Sequence, residues 1–451
     1  MSQPDHSRPH LARPWTAPTA RARLDARVQL PGSKSLTNRA LLLAAIADGP
    51  STLHRPLRSR DAAIMAAGLR TLGAGIREVP GDGAFGPDLA ITPGQLAGGG
   101  HIDCGLAGTA MRFLPIVAAL ADGPVSFDGD PHARKRPMEQ TIAALRSLGV
   151  RVDADEPRLP FTVHGAGGIA GGEVEIDASA SSQFVSALLL AAPRFEQGIT
   201  LHHRGARLPS IPHIDMTLEA LRQRGVDAER TGEASWRVAP GPIAPLDEQI
   251  EPDLSNAAPF LAAVVAVGGR VVLDGWPVET TQVGRMLPEL LAAFGASSTV
   301  ADGSLTVEAG GGEIPGATLD MHAAGELSPT VVALGAIASA PVEVTGIGHT
   351  RGHETDRIRA LIDNIAALGG RAIELPDGIR VEPAPLAGGD WGAYDDHRIA
   401  TAGAVVGLRV QGVEVDDIGA TAKTIPEFPE LWAAMLEGRT LEPGVGVQGR
   451  G

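Results

Sequence analysis

Lys34, Ser35 and Arg39 share one short segment, Pro31-Gly-Ser-Lys-Ser-Leu-Thr-Asn-Arg39, and an almost wholly apolar run follows it. A helix opening there presents free N–H groups and the positive end of its dipole, so two cations and a hydroxyl around one turn describe an anion site. Other segments have related character. Gly105-Leu-Ala-Gly-Thr-Ala-Met-Arg112 has glycines that let a ligand approach the backbone, and Asp177-Ala-Ser-Ala-Ser-Ser-Gln183 stacks Ser181, Ser182 and Gln183. Arg134-Lys-Arg136-Pro137 is compact and basic, and Arg351-Gly-His-Glu-Thr-Asp-Arg357 holds both charge signs and a histidine. Tyr394-Asp-Asp-His-Arg398 and Thr421-Ala-Lys-Thr-Ile-Pro426 add two more cations. Each has a plainer explanation. Ser and Thr before a helix are ordinarily N-caps, and a charged segment is ordinarily a solvated face. Gly-Ser-Lys-Ser is not a P-loop, because the GxxxxGK[ST] spacing is absent. Separate cationic loops in a chain of formal net charge −15 still point to a cleft for a small acid with several anionic groups, such as a phosphorylated one.

The elements that must position these residues recur along the chain. Apolar, helix-like runs are expected over Asn38–Ala47, Ala110–Ala121, Phe184–Ala192, Ala257–Val267, Thr330–Ala340 and Ile399–Leu408. Each is nearly all Ala, Leu, Val and Ile, so each should be buried on most sides. The small polar or ionisable residues at their entrances are Ser35, Thr109, Ser182, Ser255, Ser328 and His397, spaced by 74, 73, 73, 73 and 69 on subtraction. A second marker keeps step. Glycine ends a leucine-rich amphipathic run at Gly73, Gly149, Gly225, Gly295 and Gly369, a C-terminal cap before a strand. Near-constant spacing over six units implies internal duplication, with a period longer than that of solenoids. Two groups of three α/β units follow, with the Gly- and Pro-rich stretch Pro240–Pro252 as the crossover.

Composition narrows the function. The 451 residues are 43% hydrophobic, 20% charged and only 3% aromatic, a globular balance with few rings for stacking single-stranded nucleic acid. The acidic charge disfavours nucleic acid and anionic membrane as partners, and no stretch has the length of a membrane-spanning helix. The one cysteine, Cys104, leaves no intrachain disulfide and fits a reducing, cytoplasmic setting. Residues 1–20 lack a signal peptide's apolar core and read as a tail. No cluster has metal-ligand spacing, so neither metal nor cofactor is expected.

LPGSKSLTNRALLLAA, AGTAMRF, RKRPM, SASSQF, HETDR, DDHR and TAKTIPEF occur here in the order in which 5-enolpyruvylshikimate-3-phosphate synthases carry them, and the resemblance spans roughly residues 24–435. It implies an α/β fold, a two-domain inside-out α/β barrel of six βαβαββ-type repeats, three per domain. Residues 1–32 would be a tail and the first part of the lower domain, 33–248 the upper domain, and 249–451 the lower domain with a short C-terminal tail. The implied reaction moves the carboxyvinyl group of phosphoenolpyruvate to the 5-hydroxyl of shikimate 3-phosphate, with glyphosate a competitor. A monomer is expected, since two domains already cover the core.

By the same resemblance, Lys34 contacts phosphoenolpyruvate near the target hydroxyl, and Ser35 and Arg39 hold the shikimate ring and carboxylate. Phosphoenolpyruvate packs beside Gly108, while Arg136, Arg357, Arg398 and Lys423 clamp its carboxylate and phosphate. Gln183 lies between the substrates, and Ser181, Ser182 and Ser210 surround the shikimate phosphate. Glu354 resembles the acid that protonates the methylene carbon, and Glu326 the carboxylate that receives the hydroxyl proton. This chain departs from the usual pattern at Glu326, where aspartate is commoner, at His353, where lysine is common, and at Leu106, where asparagine often stands. His353 falls among the shikimate 3-phosphate contacts, and its neutral form would bind phosphate more weakly. Two alternatives remain open: the transferase acting on UDP-N-acetylglucosamine, which commonly uses a loop cysteine as acid, and a non-catalytic module that binds phosphorylated acids.

Overall fold

The computed structural model describes residues 14–81 and 83–439. Among them are twelve α-helices: α1 (Lys34–Ala45), α2 (Arg60–Thr71), α3 (Gly108–Ala118), α4 (Glu139–Ser147), α5 (Gln183–Ala191), α6 (Pro212–Gln223), α7 (Ala257–Val267), α8 (Leu287–Ala292), α9 (Ser328–Ala336), α10 (Arg357–Ala367), α11 (His397–Gly407) and α12 (Phe428–Leu436). All six expected apolar runs form helices over most of their length, although α3 stops at Ala118 and α9 at Ala336, before the expected ends at Ala121 and Ala340. α3 is buried at every position and α7 at all but its last: α7 has no polar face to turn toward water, and in α3 the polar Thr109 and Arg112 find partners inside, in Asn38 and Gln183.

All of these helices but α7 open earlier than the apolar runs do. Ser35, Thr109, Ser328 and His397 stand in the first turns, and the N-caps are Ser33, Ala107, Leu327 and Asp396. The first turn's N–H groups find no acceptor within the helix, so polar side chains or ligands there can supply one. Between the buried helices come amphipathic ones, and the glycines expected to end them do so. Gly149 and Gly225 close α4 and α6 at φ +82° and +76°, which an L side chain adopts only with strain.

Five four-stranded sheets share one order, and a sixth has three strands. In the second of these along the chain, His101–Asp103 runs parallel to Asp122–Asp128, which pairs antiparallel with Phe161–Ala166, itself antiparallel to Arg151–Asp153. Two sheets take their parallel edge strand from far away. Leu24–Val28 joins Gly269–Asp274, and Glu248–Gln249 joins Ser51–His54.

Two apolar clusters result. One draws on residues between Ala40 and Ile250, the other on Ala17–Leu30 together with Leu254–Met435. The chain passes from one to the other twice, side by side. Ser33 N–H donates to Glu251 O at 2.8 Å, Asp253 N–H donates to Pro31 O at 2.9 Å, and Gly32 bridges Pro252. A methyl on Gly32 would lie 2.4 Å from Arg55 O, so only glycine fits this crossing.

The expected tail is partly wrong. Residues 1–13 lie outside the described residues, as does the C-terminal tail from 440, but Trp15–Thr16 pair antiparallel with Val415 and Glu414. An open sheet edge offers their backbone partners, and Trp15 packs edge-on against Phe428 with ring centroids 6.5 Å apart. No helix among the described residues is long and apolar enough to cross a membrane.

Candidate active site

Asp253 ties the two helix groups together. Its Oδ2 accepts from Lys34 N–H at the start of α1, and its Oδ1 accepts from Ser255 and Asn256 N–H at the start of α7, all at 3.1 Å. One carboxylate thus satisfies free donors of two helix N-termini from different clusters. The cleft beside it, with about 880 Å³ of space partly open to solvent, gathers eleven of the fifteen expected site residues. These are Lys34, Ser35, Ser181, Ser182, Gln183, Ser210, Glu326, His353, Glu354, Arg357 and Arg398. Ser210 adopts φ +53°, a left-handed turn that delivers its side chain just before α6.

Glu326 lies in a short 3₁₀ turn, His322–Leu327, leading into α9. Its carboxylate accepts from Ser255 Oγ at 3.0 Å and Arg398 Nη2 at 3.1 Å, with His213 Nε2 at 3.5 Å. Burial alone would raise this carboxyl, but Arg398, His213 and Ser255 outweigh it and hold it well below the usual range. The extra methylene relative to aspartate is therefore accommodated within a fully paired environment. Glu354 is also ionised. Its Oε1 pairs with Lys423 Nζ and its Oε2 accepts from Arg357 Nη2 at 3.1 Å. Burial again opposes ionisation, and Lys423, Arg357 and Arg136 overcome it.

Four expected contacts stand behind the cleft wall rather than in it. Arg39 is 1% exposed, and donates to Thr217 Oγ1 at 2.8 Å, Ser35 O at 2.9 Å and His213 O at 2.9 Å. Burial lowers it to about 9, with Glu326 pulling the other way. Its donors are largely spent on joining α1 to α6, so it braces the wall. Arg136 donates to Leu106 O at 3.3 Å, and a methyl on Gly108 would come within 2.9 Å of Arg136 Nη2 and 3.1 Å of Arg112 Nη1. Lys423 reaches the site through Glu354.

Sequence reasoning passed over several residues that the tertiary structure brings in. Arg112, one turn into α3, donates from Nη1 to Gln183 Oε1 at 2.7 Å, and its guanidinium lies over the Phe184 ring at 5.1 Å. The Gln183 amide oxygen is thereby taken, which leaves its NH₂ as the group for a ligand. Asp396, wholly buried, accepts from Arg357 Nε at 2.7 Å and caps α11 through Arg398 N–H at 2.8 Å. Both residues lay inside motifs already noticed, AGTAMRF and DDHR, so position in a motif was the available signal. His213 and His349, from outside those motifs, carried none.

Three histidines of the cleft are held neutral. Burial lowers His349 to about 4, with help from nearby His322. Burial and then Arg357 lower His353, and burial with Arg398 and Lys34 lowers His397, both well below the ordinary value. Arg357 Nη1 donates to His353 Nδ1 at 3.1 Å, so the neutral ring carries its proton on Nε2. Leu106 is buried, with its carbonyl on Arg136, and offers a ligand no side-chain hydrogen bond.

The chain has clear relatives. A family model described as EPSP synthase (3-phosphoshikimate 1-carboxyvinyltransferase) matches residues 18–432. A protein of Kocuria rhizophila named 3-phosphoshikimate 1-carboxyvinyltransferase is 54% identical over 429 residues, covering 94% of this chain and 96% of its own. The fold resembles that of an EPSP synthase from Acinetobacter baumannii, with TM-score 0.77, 24% identity, and coverage of 94% of this chain and 98% of that one. It also resembles the enolpyruvyl transferase NikO from Streptomyces tendae, with TM-score 0.73, 18% identity, and coverage of 92% and 96%. At those identities the two structures speak to fold alone, but the family match across nearly the whole chain, with a relative more than half identical to it, places this protein in the EPSP synthase family.

Proposed function

We propose that this chain transfers the carboxyvinyl group of phosphoenolpyruvate to the 5-hydroxyl of shikimate 3-phosphate and releases phosphate, the shikimate-pathway step that leads to chorismate and the aromatic amino acids. One observation carries the reading: cations and hydroxyls from both apolar clusters converge on one cleft. Lys34, Arg357 and Arg398 line it beside Asp253, Glu326 and Glu354, and Arg39, Arg112, Arg136 and Lys423 stand close behind. Cations held in one place in this way suit substrates carrying carboxylates and phosphates.

The reaction is an addition followed by an elimination. The ring oxygen bonds to C2 of phosphoenolpyruvate while C3 gains a proton and becomes a methyl group; the adduct then loses phosphate and a proton from C3. Fixed cations stabilise the charge that builds on carboxylate and phosphate. Glu326 receives the hydroxyl proton, Glu354 supplies the proton for C3, and Lys34 assists at the reacting hydroxyl. Gln183 presents its NH₂ between the substrates, and Ser181, Ser182 and Ser210 receive the shikimate phosphate. His353 donates from Nε2 as a neutral hydrogen-bond partner, and glyphosate competes where phosphoenolpyruvate packs beside Gly108.

The finer architecture belongs to the same proposal. The common strand order of five sheets, the two apolar clusters and the double crossing at Gly32 and Pro252 support two domains divided near residues 32 and 248. Each domain would hold three βαβαββ repeats arranged as an inside-out barrel. We expect a cytoplasmic monomer.

The nucleotide-sugar alternative is weakened by Cys104, which is fully buried and whose thiol is pushed up to about 12 by burial, then by Asp103 and Asp128. Such a thiol makes a poor loop acid. The test is phosphate release from phosphoenolpyruvate with shikimate 3-phosphate in one tube and UDP-N-acetylglucosamine in another. Release only with shikimate 3-phosphate is expected; release only with the nucleotide sugar overturns the proposal, and silence in both favours a binding module.

A further inference from the structure

We infer that Glu354 fills the anion clamp of the substrate-free enzyme, and that the anionic end of phosphoenolpyruvate displaces it, so that substrate binding loads Glu354 with the proton it delivers. The inference rests on the functional reading above and deepens it.

The geometry is that of an internal ligand. One Glu354 oxygen pairs with Lys423 Nζ and the other with Arg357 Nη2, as a bound carboxylate would span two cations. Lys423, Arg357 and Glu354 are 3%, 2% and 8% exposed, so the pairing is shielded from water. Among the described residues Glu354 is the one hydrogen-bond partner of the Lys423 ammonium. Arg357, in contrast, keeps Asp396 and His353 whether or not Glu354 stays. Loss of Glu354 thus leaves Arg357 in place and Lys423 free, a cation pair ready for another anion.

The charges around Glu354 explain why the exchange matters. Lys423 faces it from the turn Ile418–Lys423, Arg357 from α10, Arg136 from beside the turn Ala133–Lys135, Arg112 from α3, His397 from α11 and His353 from the loop before α10. Against these stand two carboxylates, Asp396, which shares Arg357 Nη2 with Glu354 at 3.2 Å, and Asp61, which acts on Lys423, but the cations prevail and keep Glu354 ionised and without a proton to give. A dianion on Lys423 and Arg357 cancels that field and adds repulsion, so the carboxylate takes a proton from solvent. In the addition that proton moves to C3 as the C2=C3 pair captures it and the ring oxygen bonds to C2. In the elimination the C2–O bond to phosphate breaks, a C3 proton returns to Glu354, and the double bond re-forms.

Sulfate, which does not titrate near neutrality, is a suitable probe. Its binding is followed by calorimetry at pH 6 in two buffers of different ionisation enthalpy, which counts protons. Wild type should take up close to one proton per sulfate. Glu354→Gln, confirmed as folded by its melting curve, should bind sulfate about tenfold more tightly with no uptake, because an amide cannot hold the two cations as strongly. Proton-neutral binding by wild type overturns the inference and needs no variant. Equal or weaker binding by Glu354→Gln, or no binding by either protein, also overturns it, and uptake that persists in Glu354→Gln assigns the proton to the histidines instead. Phosphate release by the same wild-type preparation separates the two claims: turnover without uptake sinks only this inference, whereas absent turnover sinks the functional reading first.

Discussion

Glu326→Gln is the substitution that best separates a catalytic carboxylate from a structural one. The amide keeps the shape of the side chain: its one oxygen can accept from Arg398 Nη2, 3.1 Å from Oε2, while its NH₂ faces Ser255 Oγ, 3.0 Å from Oε1, whose hydroxyl can turn to accept. What it loses is charge. Bonds to a charged group contribute about 1.5–3 kcal/mol, and neutral ones about 0.5–1.5 kcal/mol, so the two contacts together lose roughly 2 kcal/mol. The side chain is 20% exposed, so solvent screens little of that loss. A protein of this size remains folded after such a change. A missing general base costs on the order of 10²–10⁴ in turnover, or about 3–5 kcal/mol at the transition state. The two magnitudes are separable by measurement. Steady-state phosphate release with each substrate varied gives kcat and KM, and urea unfolding gives the stability change. We expect kcat to fall at least tenfold with folding intact. A kcat within about threefold of wild type, or a defect confined to the KM for shikimate 3-phosphate, refutes the proton-acceptor role.

Lys34→Ala should lose most turnover while leaving the fold, because α1 keeps its cap at Ser33 and its tie to Asp253 through the backbone; wild-type phosphate release would end that assignment. Arg112→Lys should lower kcat more than it raises either KM, since Gln183 stays in the cleft but loses the 2.7 Å bond that fixes its amide; unchanged kinetics would make Arg112 a core residue only. Stability should decline as pH falls from about 6.5 toward 4. His349 is held down to about 4 by burial, so the unfolded chain binds its proton first, and stability present above the unfolded value is lost as pH drops through the folded one. A shift of that size corresponds to roughly 3 kcal/mol at full expression, and His349→Gln should flatten the slope of denaturation midpoint against pH in that window. An identical slope in the variant would remove His349 from the account.

What the sequence determined by itself is local. A buried helix needs a nearly continuous run of small and branched apolar residues, and its end needs a residue that tolerates a left-handed turn, so the six runs and glycines such as Gly149 and Gly225 were legible without any partner. The cationic and hydroxyl segments were legible for the same reason, because each sits at a helix entrance or loop that its neighbours define. Tertiary structure decided which of these groups meet. Arg112 finds Gln183 across 71 residues, Arg39 finds Thr217 across 178, and Glu354 finds Lys423 across 69. It also decided that Leu24–Val28 completes the sheet of Gly269–Asp274 and that Trp15 leaves the tail for an open edge. Charge pairing and strand edges act through space, so no spacing along the chain encodes them. The anion-binding character of the site was thus written in segments, but its present occupant, the carboxylate of Glu354, is set by how the chain packs.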